Sequence, residues 1–185
     1  MTEFVGFPKI ARYSREVIVT EKIDGTNATL YIGEDGEFLV GSKTRWITPE
    51  QDNYGFAAWA QERKAELVAT LGPGWHRGEW WDSGIQRGYG LAKDDKRLSL
   101  FNVDRWRDRP LPIGIFTVPV LWRGRFDALD VDMILSVLAQ YGSLAAPGFM
   151  RPEGIVIHHV ASNVSFKKTL ERDDEPKGKQ KEEKP

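Results

Sequence analysis

Residues 16–44 set the tightest limit on what this chain can fold into. "EVIVTEKI", "NATLYIG" and "EFLVGSKT" are short β-rich runs separated by Asp-Gly and Glu-Asp-Gly turns. Runs of this length bury an apolar face only by pairing with neighbours, and tight turns favour antiparallel pairing. The pattern predicts a three-stranded antiparallel meander. "WHRGEWWDSG", "RLSLFNVDRW", "IGIFTVPVLWRG", "EGIVIHHV" and "NVSFKKTL" read as further strands.

Two stretches change period. In "DNYGFAAWAQERKAELVATLGPG", Phe56, Ala60, Leu67 and Leu71 share a stripe interrupted by Arg63; Asp52 can cap the start and Gly72-Pro73-Gly74 ends it. In "FDALDVDMILSVLAQYGS", Leu129, Met133, Val137 and Tyr141 recur every four residues beside Ile134 and Leu138, and Gly142 follows. The expectation is one α+β domain over 1–170, antiparallel β-sheets with flanking helices. From Glu171, "ERDDEPKGKQKEEKP" lacks any large apolar anchor and reads as a disordered charged tail, 171–185.

Composition narrows the function. The chain has no cysteine, which excludes disulfides and thiolate zinc sites. No apolar run approaches a membrane span, and the N-terminus lacks a signal peptide's apolar core. These readings lead us to expect a cytoplasmic monomer with no membrane partner, of a size that suits a bacterium or a bacteriophage-infected cell. A net charge of −1 argues against general electrostatic DNA binding, although cations cluster from Lys93 to Arg125. His158 and His159 fall on opposite faces of a strand, which argues against a shared zinc site. The Trp cluster has the chemistry to stack nucleic-acid bases, but Trp59, Trp75 and Trp122 read first as core or sheet-face residues.

"TEKIDGTNA", residues 20–28, contradicts its surroundings, because strands disfavour Gly and Asp in their interiors. Lysine amines attack phosphorus or carbonyl carbon, but at neutral pH they are ordinarily protonated and inert. Activation needs a dry pocket, nearby cations or a metal. Gly25 permits close approach of a backbone or nucleotide. Asp24 and Asn27 set an acceptor and an amide beside Lys22.

"EKIDGTN" resembles the nucleophile motif of the covalent nucleotidyltransferases, and within that superfamily the RNA ligase 2 family, where Asn occupies the position of Asn27. Further motifs resemble that family in order as far as Lys168. "GSKTR" implies that Arg45 contacts the ribose or the incoming phosphate end. "HRGEWW" implies Glu79 as acceptor for a ribose hydroxyl, and "LSLFNVD" implies Phe101 stacking on adenine. "PEGIVI" implies Glu153 as the metal-holding carboxylate, and "SFKK" implies Lys167 gripping the nucleotide phosphate. Glu21 would read the adenine amino group. The family pattern K-x-K is here Ser165-Phe166-Lys167, and Lys168 faces away from Lys167 on a strand.

The resemblance implies a nucleotidyltransferase (ATP-grasp-like ligase) core without an appended OB domain. It implies ATP and Mg2+ or Mn2+ as cofactors, with Lys22, Asp24, Asn27, Glu153 and Lys167 as catalytic residues. The implied activity is ATP-dependent polynucleotide (RNA) ligation through lysyl-AMP. AMP passes to a 5′-phosphate end and a 3′-hydroxyl seals the strand, so the partner is RNA, DNA or hybrid ends. The rivals are a DNA nick ligase, a GTP-using enzyme of the same chemistry, and a degenerate protein that binds nucleotide or nucleic-acid ends without ligating.

Overall fold

The computed structural model describes residues 2–81, 84–92 and 95–173. Among these described residues, nine strands form two sheets: β1 (Glu16–Lys22), β2 (Thr26–Ile32), β3 (Phe38–Gly41), β4 (Gly74–Trp81), β5 (Arg97–Leu100), β6 (Ile115–Thr117), β7 (Val120–Arg125), β8 (Gly154–His159) and β9 (Val164–Thr169). One sheet has the order β7-β1-β8-β9, the other β3-β2-β4-β5-β6. All pairings are antiparallel except β5 with β6, which is parallel. The α+β class holds, and the parallel pair is an addition to it.

The predicted three-stranded meander does not form. β2 pairs with β3, but β1 belongs to the other sheet, and Ile23-Asp24-Gly25 carries the chain across. Hydrophobic alternation marks each run as a strand but carries no information about which sheet it joins. The run "IGIFTVPVLWRG" splits in the same way. β6 extends the five-stranded sheet, β7 joins the four-stranded one, and Val118-Pro119 crosses between them. The Pro119 carbonyl accepts from the Glu21 amide at 2.9 Å, so the two crossings lie side by side.

The first helical stretch is two helices, α1 (Phe56–Glu62) and α2 (Lys64–Leu71), broken at Arg63 with φ −103° and ψ 12°. Arg63 was the residue that interrupted the apolar stripe. The break lets its guanidinium lie 4.8 Å from the Trp59 ring centre while pairing with Glu66 at 2.7 Å. Asp52 caps as expected, accepting from the amides of Ala57 (2.7 Å) and Ala58 (2.9 Å). "RLSLFNVDRW" is not wholly strand. After β5, Asn102 caps a short helix, α3 (Val103–Trp106), by accepting from the Arg105 amide.

In α4 (Val131–Tyr141) the buried face is Ile134, Leu135 and Leu138. Met133, Val137 and Tyr141, the stripe read from the sequence, face outward and are largely exposed. The flanking ridge wins because Val17, Val19, Ile155 and Ile157 of the four-stranded sheet pack against Ile134 and Leu138. Gly142, with φ 78°, ends the helix as its position suggested. The charged tail falls mostly at 174–185, outside the described residues. Within 171–173 the chain folds back: Asp173 accepts from the Thr169 amide at 2.8 Å and pairs with Lys168 at 3.1 Å.

The largest core lies between the five-stranded sheet and α1, α2 and α3. Ala28, Leu30 and Ile32, on one side of β2, meet Phe56, Leu67 and Trp80 there. A smaller cluster of Ile18, Ile23, Trp81, Tyr89, Val103 and Val118 joins the two sheets. In the region of basic sequence, several cations are paired: Arg97 with Asp95, Arg107 with Asp104, and Arg123 with both Asp104 and Glu16. Lys93 and Asp94 lie outside the described residues.

Candidate active site

Strand alternation places the cleft between the sheets. On β1, Ile18, Thr20 and Lys22 point into it while Val17 and Val19 enter the α4 core. On β8 and β9, Val156, His158, Ser165 and Lys167 line it from cross-strand positions. The five-stranded sheet contributes Asn27, Arg77 and Glu79, and Phe101 stands at its edge. The cleft has a volume of about 880 Å³.

"TEKIDGTNA" now has a physical explanation. Lys22 ends β1 opposite Gly154, and Ile23 is buried in the cluster joining the sheets. At Gly25 a Cβ would overlap the Trp80 carbonyl oxygen and lie 2.8 Å from the Trp81 Cβ. Only glycine lets the chain pass so close beneath β4. The break in strand character is the crossing between sheets, and it leaves Lys22 at the lip of the cleft.

Lys22 Nζ donates to Glu153 Oε2 at 2.6 Å; the lysine side chain is 18 % exposed and the carboxylate 3 %. The contact is a charge-assisted bond in a largely dry setting. An amine donating to a carboxylate is not free to attack, so chemistry at Lys22 requires Glu153 to release it. Glu79 is engaged on both oxygens, accepting from the Gly25 amide at 3.1 Å and from Asn27 Nδ2 at 3.3 Å. The same bonds make Asn27 and Glu79 hold the segment after Lys22 in place.

Asp24 has a different setting. Its amide donates to the Tyr89 hydroxyl at 2.8 Å, and its carboxylate accepts from Arg87 Nε at 3.4 Å. Burial pushes the Tyr89 phenol far up, so it remains a neutral hydroxyl. Glu21 borders the cleft but bonds away from it. Its Oε2 accepts from the Leu144 and Ala145 amides at 2.8 and 3.0 Å, and its buried Oε1 has no hydrogen-bond partner. Burial raises the Glu21 carboxyl from its ordinary 4.5, more than its hydrogen bonds lower it.

Phe101 is 44 % exposed, which removes it from the core and leaves its ring at the cleft. Lys167 is exposed on the cleft side of β9. Lys168 points away to Asp173, as strand alternation requires, so it does not stand in for Ser165. Ser165 instead bonds His158 Nδ1 at 3.0 Å across the strands. His159 is buried on the other face, bonded to Ser162. Arg45 is the site residue that the structure does not bring to Lys22. It lies in the loop after β3 and lines a neighbouring groove.

Arg77, Tyr89, Arg87 and His158 were not singled out for the site from the sequence. Arg77 carried a signal, since it stands two residues before Glu79 on one strand and therefore shares its face. Tyr89 and Arg87 come from a loop with no periodicity. Among the described residues, no group of three or more His, Asp or Glu side chains converges into an all-protein metal cage. Glu153 suits a hard cation shared with phosphate oxygens, because magnesium is commonly held by one or two carboxylates plus the substrate.

The sequence profile of the family described as RNA ligase matches residues 15–170. Among solved structures, the chain is similar to mutants of the Naegleria gruberi RNA ligase. One, with ATP and Mn, gives a TM-score of 0.62 at 20% identity, covering 86% of this chain and 51% of that one. A second, also with ATP and Mn, gives 0.57 at 22%, covering 83% and 48%. A third, with AMP and Mn, gives 0.56 at 19%, covering 85% and 50%. The likeness establishes the shared fold, and this chain spans about half the length of those structures. No curated protein matches it.

Proposed function

The chain belongs to the RNA ligase family, and on that premise we propose that it is an ATP-dependent polynucleotide ligase working through a lysyl-AMP intermediate. One observation carries the reading. Five separated segments bring an amine (Lys22), a tethered carboxylate (Glu79), an exposed aromatic ring (Phe101), a buried carboxylate (Glu153) and an exposed cation (Lys167) to a single cleft.

In this reading Glu153 holds Lys22 in place until nucleotide enters. A divalent metal bound with the phosphates would offset their negative charge, and Glu153 is the carboxylate to share it. With Glu153 drawn off, the Lys22 ammonium loses a proton to solvent water, the neutral amine attacks the α-phosphorus, an N–P bond forms, and the bond from that phosphorus to the bridging oxygen breaks as pyrophosphate leaves. Lys167 stabilises charge on the phosphate oxygens. Glu79 accepts from a ribose hydroxyl while keeping its tether on Gly25, which fixes the sugar relative to Lys22. Phe101 offers its face to the base, and the unpartnered Glu21 Oε1 would accept from the adenine amino group. AMP then moves to a 5′-phosphate, and a 3′-hydroxyl displaces it as the phosphodiester closes. Arg45 belongs with the incoming polynucleotide rather than with ATP.

The test is labelling with ATP or GTP carrying a radioactive α-phosphate, followed by a chase with 5′-phosphorylated RNA, DNA and hybrid substrates. The reading expects label on the protein from ATP, transfer to a 5′ end and a sealed product. Nucleotide binding without label would instead support the degenerate binder, for which Ser165 in place of a lysine is the favouring observation.

A further inference from the structure

The face that holds Asn27 and Glu79 continues past the cleft. Cross-strand pairing sets Asn27 beside Glu79, Thr29 beside Arg77 and Tyr31 beside Trp75. These odd-numbered residues share the face opposite Leu30, Ile32 and Trp80 of the core. Trp75 therefore stands four residues from Glu79 on one strand face, about 13 Å along it.

At that end the sheet carries an exposed aromatic platform. Trp75 is 52 % exposed and Trp46, from the loop after β3, is 47 % exposed. Their ring centres are 5.6 Å apart with planes at 21°, a stacked pair. Tyr31 backs Trp75 at 4.9 Å, and the Arg77 guanidinium lies 5.3 Å from its ring centre. Lys43 and Arg45 rim the same groove, whose volume is about 550 Å³. Among the described residues that line it there is no carboxylate. It meets the Lys22 cleft at Asn27, Trp75, Arg77 and Phe101.

Two large indoles in water are costly to leave uncovered unless a partner stacks on them, and the cations beside them specify that the partner is anionic. Flat rings plus phosphate-binding cations, with no carboxylate to repel a backbone, fit unpaired nucleotides. In a duplex the bases are stacked on each other and their faces are closed. We propose that this groove binds the unpaired stretch of polynucleotide that leads to the reacting end, with a base on Trp46 and Trp75 and its phosphates on Lys43 and Arg45. The inference rests on the ligase reading for the direction of the strand.

The test uses the full chain with Trp46→Ala, Trp46→Phe and Lys43→Ala, measured by fluorescence anisotropy on labelled single-stranded RNA and DNA of one sequence and on a blunt duplex. Covalent AMP formation from ATP, without nucleic acid, is measured in parallel. Trp46→Ala should weaken single-strand binding roughly fivefold to a hundredfold, leave the duplex unchanged and form the AMP adduct at the unsubstituted rate. Trp46→Phe should recover most of the lost binding, which a folding defect would not explain. Lys43→Ala should lower the salt slope of log affinity by about one. Unchanged binding of both single strands by Trp46→Ala, or an equal loss on the duplex, overturns the proposal. Failure of the ligase reading is distinct: the unsubstituted protein would form no AMP adduct at all.

Discussion

The cleft at Lys22 lies between the two sheets and the groove at Trp46 continues from it along the five-stranded sheet, yet the two are built on opposite principles. In the cleft, the groups around Lys22 are largely buried and already engaged: Lys22 with Glu153, and Glu79 with the Gly25 amide and Asn27, while Lys167 stays exposed. In the groove, rings and cations lie exposed, with few fixed partners. Preorganised polar groups suit a chemical step, since they need little rearrangement as charge develops. An open cationic, aromatic surface suits a ligand that varies in sequence, since every base has a face to stack. The face of the five-stranded sheet thus passes from the cleft to the open groove over a few residues, with Trp75 and Arg77 lining both.

If that division is right, substitutions should divide in the same way. The largest effect is expected from Lys22→Ala, which removes all covalent AMP while circular dichroism and melting temperature stay close to those of the unsubstituted protein. Residual adduct would move the nucleophile elsewhere. Next, Glu153→Gln should slow adduct formation about a hundredfold, measured in single turnover with saturating ATP, and barely alter single-strand binding. A matching loss of nucleic-acid affinity would erase the contrast between the two regions.

Gly25→Ala should act through the fold. Its Cβ has no room beneath Trp80 and Trp81, so denaturant unfolding should show a loss of about 1–3 kcal/mol. Adduct formation should fall with it, because the same turn positions Lys22. The smallest effect concerns Glu21, whose carboxyl is raised above 4.5 chiefly by burial. The folded state therefore holds the proton more tightly. The stability this contributes is complete below pH 4.5 and is lost as pH climbs through the raised value. Glu21→Gln, measured by urea unfolding from pH 4 to pH 8, should gain on the unsubstituted protein as pH rises. A gap that narrows with pH would contradict this.

The residues of the candidate cleft were more legible in the sequence than the architecture that gathers them. Lys22, Glu79, Phe101, Glu153 and Lys167 stand out because each sits in a short motif of restricted composition, and the structure gathers them at one cleft. Arg45 was equally visible as a letter, but its distance from Lys22 depends on where the loop after β3 travels. Sheet membership was hidden for a general reason: alternation fixes which side of a strand is buried, not which neighbour it pairs with. Hence the misread meander and the undivided β6–β7 run. The α4 stripe failed because two adjacent ridges were both apolar, and only the sheet beneath selects between them. Trp46 lies in the loop after β3 and Trp75 on β4, and their stacking exists only after β2, β3 and β4 align.

Digestion and tandem mass spectrometry of the protein after exposure to ATP and magnesium address the central claim most directly. The account predicts a mass gain of one AMP on the peptide that contains "EKIDGTN", localised to Lys22. An adduct on any other residue, or nucleotide that is bound and lost without a covalent mark, would contradict it.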